Sequence, residues 1–199
     1  TSTQQLIYAL LTAEPGEIII SEVFIDADGN DDDREWFEIY NTTSRPINIE
    51  GWTIADNDGD SHTIAAGRPV VVAARGYLVL GQSSDQSVNG GVPVDYVYGR
   101  DIVLGNGGDE LFLLQGDLVM DSVGWGDFEP LPRKVAQRLP APVVGSASGL
   151  AGDYSGGSTG DWRIQTAVFG GGHGTPGLPN TGAALPVFGV PPEFWRTLP

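Results

Sequence analysis

Glu17-Ile-Ile-Ile-Ser-Glu-Val-Phe-Ile25, an acidic loop, and then Glu35-Trp-Phe-Glu-Ile-Tyr-Asn41 make up the stretch that decides the fold. Both runs are short, rich in β-branched and aromatic residues, and bounded by Asp, Asn, Pro or Gly, which is how strands are punctuated. Working outward, the same pattern recurs from Ile47 to Ile54, at His62 to Ile64, and at 69–73, 77–81, 94–98, 110–115 and 117–123. The last two flank Gln115-Gly116-Asp117, a tight hairpin turn. Short strands at a spacing of roughly 8–12 residues, with no helical period between them, predict an all-β sandwich or barrel. The 29 glycines and 14 prolines leave little room for helix in any case.

Beyond residue 125 the alternation decays. Residues 140–199 hold 13 Gly and 8 Pro, a composition that makes either a long wrap around a core or a disordered tail. Trp162, Phe169, Phe188, Phe194 and Trp195 are apolar anchors in that segment and favour the wrap. The other end also stands apart. The first thirteen residues carry no charged side chain, and Leu6, Ile7, Leu10 and Leu11 suit one face of a helix or part of a strand. Pro15-Gly16 separates this segment from the first strand. Three parts follow: an apolar N-terminal segment (1–16), the β domain (17–180), and an apolar tail (181–199).

The order of motifs along the domain is distinctive. Ile19-Ile-Ser-Glu-Val23 precedes the acidic loop, followed by the 35–41 motif, Ile49-Glu-Gly-Trp-Thr-Ile54 and Gly76-Tyr-Leu-Val-Leu80. Leu104-Gly-Asn-Gly-Gly-Asp-Glu-Leu-Phe-Leu113, Asp121-Ser-Val-Gly-Trp-Gly126 and Thr175-Pro-Gly-Leu-Pro-Asn180 complete the series. This set, spanning roughly 17–180, resembles the lamin-tail domain in the form carried by bacterial exported proteins. The resemblance implies an immunoglobulin-like β-sandwich whose irregular stretch from 125 to 180 folds over it. It supplies no catalytic residues, and it implies an interaction module.

Composition narrows the chemistry. A formal net charge of −16 repels phosphate backbones, and the densest basic stretch is only Arg133, Lys134 and Arg138, so no nucleic-acid partner is expected. The absence of cysteine removes disulfides, thiolate metal sites and a cysteine nucleophile. No run approaches the roughly 18 apolar residues of a transmembrane helix. The opening Thr1-Ser2-Thr3 fits a mature chain after leader removal, and an extracellular or cell-surface location is expected. His62 and His173 are the only histidines, and neither sits in a nucleophile elbow or a zinc motif, so an enzyme is not expected.

Calcium fits the acidic loops better than catalysis does. Asp26, Asp28, Asn30, Asp31, Asp32 and Asp33 crowd one loop, and Asp56, Asp58 and Asp60 crowd another. Hard Ca²⁺ takes six to eight oxygens, and glycine lets such loops turn several inward. Neither is an EF-hand, because the sixth position is Asp31 or Ser61 and the twelfth Phe37 or Gly67. Solvated hairpin tips are the plain alternative. Trp36, Tyr40 and Trp52 are expected to fill the sandwich interior, though exposed aromatics could instead stack on a polysaccharide. The termini allow three readings: assembly with neighbouring copies, fold-back onto the chain's own domain, or, for the first, a leader remnant. Assembly would run through Leu6, Ile7, Leu10, Leu11, Phe188, Phe194 and Trp195, with a segment donated to a sheet edge. The expected function is a self-assembling structural subunit, a homo-oligomer that can extend into a filament. The alternative is a monomeric module binding a polysaccharide or another surface protein.

Overall fold

The computed structural model describes residues 13–27, 32–106, 108–125, 143–146, 163–164, 168–169 and 172–179. Every regular element among them is a strand. In chain order these are β1 (Ile18–Asp26), β2 (Trp36–Asn41), β3 (Ile47–Asn48), β4 (Thr53–Ala55), β5 (Ser61–Thr63), β6 (Val71–Val72), β7 (Tyr77–Gly81), β8 (Tyr96–Val97), β9 (Asp109–Gln115), β10 (Leu118–Trp125), β11 (Val143–Ser146), β12 (Arg163–Ile164), β13 (Val168–Phe169) and β14 (Gly172–His173). A six-stranded sheet runs β12-β11-β1-β2-β7-β8 and a four-stranded sheet β10-β9-β4-β5; β3-β6 and β13-β14 are separate pairs. The centre of the larger sheet is antiparallel, while β11 joins β1 in parallel.

Alternation builds the core between the two sheets. Ile18, Ile20, Val23 and Ile25 of β1, Phe37 and Ile39 of β2, and Leu78 and Leu80 of β7 face Ile54, Leu111, Leu113, Met120 and Val123 of the smaller sheet. The β1 run would break that alternation at Glu22, since a period of two from Ile18 and Ile20 points Glu22 inward. A bulge between Ile20 and Glu22 absorbs Ser21 as an extra residue and sends Glu22 to the other face. A matching irregularity between Val119 and Asp121 lies in β10. The two meet: Asp121 Oδ2 accepts from Ile20 N–H at 2.7 Å, and Met120 O accepts from Gly16 N–H at 2.9 Å. The N-terminal turn is thereby tied to the smaller sheet. Gly16 makes that turn at φ +84°, a conformation that favours glycine, and Ala13 before it is buried in the core.

The strand expected across Ile47 to Ile54 is corrected to two strands in different sheets. Gly51 at φ +84° breaks the run, so β3 pairs with β6 while β4 enters the smaller sheet. The aromatic expectation is also revised. Trp52 does lie in the main core, but Trp36 does not. It stacks on Phe24 with ring centroids 5.6 Å apart, on the opposite face of the six-stranded sheet, with Val79 and Val92 around it. Tyr40 is half-buried on that same face, beside Tyr77 at 4.7 Å. The larger sheet therefore has two packed faces.

Candidate functional site

The second face of the six-stranded sheet carries the least ordinary chemistry among the described residues. Glu22 and Glu38 lie opposite one another on β1 and β2, and both are fully buried. Above them passes the segment 174–178. Thr175 donates its N–H to both Glu22 oxygens, at 3.0 and 3.1 Å, and its hydroxyl to Oε2 at 3.0 Å. Gly177 donates its N–H to Glu38 Oε2 at 2.7 Å, and Ser21 donates its hydroxyl to Glu38 Oε1 at 2.6 Å. Gly177 does so at φ +79°, which is why the turn carries glycine there. A Leu178 N–H to Thr175 O bond at 2.8 Å closes the turn.

Burial is the main influence on both acids. It raises the Glu22 carboxyl to about 7 against the opposing pull of the Thr175 donors. It holds Glu38 well above the ordinary carboxylate range, opposed by Ser21 and reinforced by the Glu22 and Asp95 charges. Neither acid was expected from motif reading, yet the signal was present. A glutamate inside Ile-Ile-Ser-Glu-Val-Phe, and another between Phe37 and Ile39, are charges in runs otherwise destined for burial.

A third buried acid holds another piece of backbone. Glu35 Oε2 accepts from Gln82 Nε2 at 2.6 Å and from Leu104 N–H at 2.9 Å. Beside it opens a cleft of about 230 Å³ whose walls include Asp32, Gln82, Arg100 and Asn106. Asp109 Oδ2 accepts from Gly105 N–H at 2.6 Å, and a side chain at Gly105 would meet Gly108 O at 3.0 Å. The glycine-rich 104–110 motif is thus a loop wound closely around carboxylate acceptors.

Of the expected metal ligands, Asp28, Asn30 and Asp31 and the side chain of Asp26 lie outside the described residues. Asp32 and Asp33 both engage Arg100, the latter with two hydrogen bonds at 3.1 and 3.2 Å. Asp56 Oδ1 accepts from the N–H groups of Gly59 and Asp60 within its own turn, and Asp60 Oδ2 accepts from Val103 N–H at 3.3 Å. Asp58 is exposed. No cluster of three or more ligating side chains with metal-site geometry occurs among the described residues. The assembly residues Leu6, Ile7, Leu10, Leu11, Phe188, Phe194 and Trp195 all lie outside the described residues.

His62 is committed on both sides. Its Nδ1 lies 2.8 Å from Asp101 and its Nε2 2.8 Å from the Tyr96 hydroxyl, which also accepts from Ala65 N–H. The contact ties the edge strand of one sheet, β5, to the edge strand of the other, β8. No helix among the described residues is long and apolar enough to cross a membrane.

Comparison with known families gives one match. The family model described as Lamin Tail Domain fits residues 12–127, more than half of the chain, and it stops at the end of β10. No curated protein matches the sequence.

Proposed function

This chain belongs to the lamin-tail domain family, an immunoglobulin-like module not known for catalysis, and from there we propose that it is a non-catalytic structural subunit. It works outside the cell or at its surface and joins copies of itself through its apolar terminal segments, extending into filaments where the contact does not close. The observation that carries this reading is where the interior acids are used. Glu22, Glu35, Glu38, Asp109 and Asp121 each accept from the chain's own backbone N–H groups or side chains. Groups spent on holding the fold are structural in role. Ala13, the last residue of the uncharged N-terminal sequence, is buried in the main core, and Gly16 N–H bonds Met120 O of β10.

Light scattering and negative-stain imaging of the full chain test this reading. Large particles are expected, and deleting residues 1–12, which spares Ala13, should return a folded monomer. A full chain that stays monomeric at every concentration would overturn the proposal. Calcium stiffening of the loops at 26–33 and 56–60 belongs to the same proposal. The second reading, a monomeric polysaccharide-binding module, is favoured by one observation: the Tyr40–Tyr77 pair is half-exposed on a sheet face.

A further inference from the structure

We infer that residues 174–178 are a proton-operated latch, closed while the Glu22–Glu38 pair retains a proton and released once both side chains ionise. The geometry supplies the argument. Two carboxyl groups opposite one another on adjacent strands are fully buried, and neither has an ion-pair partner among the described residues. Two like charges at this separation, out of water and with no cation among the described residues, cannot both persist cheaply. The remaining neighbours do not help. Asp95, from the loop before β8, adds a third negative charge on the same face, and among the described side chains the other titratable groups there are the Tyr40 and Tyr77 phenols.

The segment itself lies over the pair and meets it through backbone and hydroxyl donors. Among the described residues, three of the four donors reaching the pair come from Thr175 and Gly177, while the fourth, Ser21, belongs to β1. Leu178, directly beyond, is 62% exposed and adds no apolar anchor. The latch also lies outside the family-matched body, so its release can leave the two-sheet core standing. Lifting it opens the carboxyl groups to water, where their ordinary acidity returns. The closed state therefore holds protons that the open state does not.

The sign follows from linkage. A carboxyl raised by burial favours the closed state most strongly below its ordinary range near 4.5, and that preference is lost as pH rises through the folded value. For Glu22 the window runs from about 4.5 to about 7, and burial raises Glu38 in the same direction. One proton of difference corresponds to roughly a tenfold change in the closing constant per pH unit.

Amide hydrogen exchange of the full chain between pH 5 and 8.5, corrected for intrinsic exchange, reads the latch directly. Protection at Thr175 and Gly177 should fall at least about tenfold per pH unit from 5 to 7, while amides of Phe37 and Leu113 hold steady. The variant with Glu22→Gln and Glu38→Gln together should give a flat profile at Thr175 and Gly177. Protection there that ignores pH, or that falls in step with the core amides, overturns the latch. So does a double variant that keeps the wild-type slope. Should that variant not fold, the wild-type profile decides alone.

Discussion

Asn41 shows how much of this fold rests on single polar side chains. It is fully buried, donates from Nδ2 to Arg45 O at 2.7 Å and to Val72 O at 3.1 Å, and accepts from the Thr43 N–H and hydroxyl. One side chain thus closes the 41–45 turn and pins it to β6. Replacing it with Ala leaves several buried groups unpaired and should cost about 2–3 kcal/mol. Asn41→Asp should be worse, because it removes both donated bonds and buries a charge. Urea denaturation checks the order, and an Asp variant more stable than the Ala variant would refute this assignment. The terminal Asn of the 35–41 motif was legible as a distinctive residue, but its role was not. Its partners at Arg45 and Val72 become neighbours only when β3 and β6 pair. Glu35 is alike, since its acceptor duty concerns Gln82 and Leu104, distant along the chain.

At the scale of elements, local pattern carried far where strands are antiparallel and adjacent, and failed where pairing is distant. β2 and β7 have the bounds their composition predicts, and the hairpin joining β9 to β10 turns at Gly116-Asp117 as its sequence demands. The bulge at Ser21 was not visible, because only the paired register of β1 and β2 shows that a residue is extra. Nor was β11, a parallel addition to β1 arising from a stretch with no strand signature of its own. The second core was misplaced for a related reason. Trp36 and Phe24 alternate correctly with the inward residues, but they point to a face that an antiparallel sheet commonly leaves to solvent. That face is closed near Trp36 by Val92 and Val94 of the loop after β7. Trp36→Ala should therefore cost about 3–5 kcal/mol, as much as a truncation in the main core. If guanidinium unfolding shows a loss below about 1 kcal/mol, the cluster is packing on a surface rather than acting as a second core.

Across the whole molecule, the net charge of −16 opposes both compaction and association, and its effect must be separated from any specific role for calcium. Screening shortens the reach of surface repulsion from about 30 Å at 0.01 M salt to about 8 Å at 0.15 M, so sodium chloride alone should raise the melting temperature and promote particle growth. Calcium bound by the acidic loops acts differently, since it stabilises by occupying sites in the folded chain and saturates with concentration. The comparison is therefore calcium chloride against sodium chloride at equal ionic strength, followed by magnesium chloride and chelator. If Asp56, Asp58 and Asp60, together with the 26–33 loop, hold Ca²⁺, its stabilisation should exceed that of matched sodium and of magnesium, plateau, and reverse with chelator. Removing Asp58, whose side chain is exposed, by Asp58→Asn should then lower the plateau without changing the response to sodium. A calcium curve that superimposes on the magnesium curve would assign the effect to charge screening by any divalent ion, and the loops would be solvated tips of an acidic surface. Assembly is decided by the same titration, because a subunit that polymerises only when its charge is screened should do so in either salt, whereas one stiffened by calcium should prefer it.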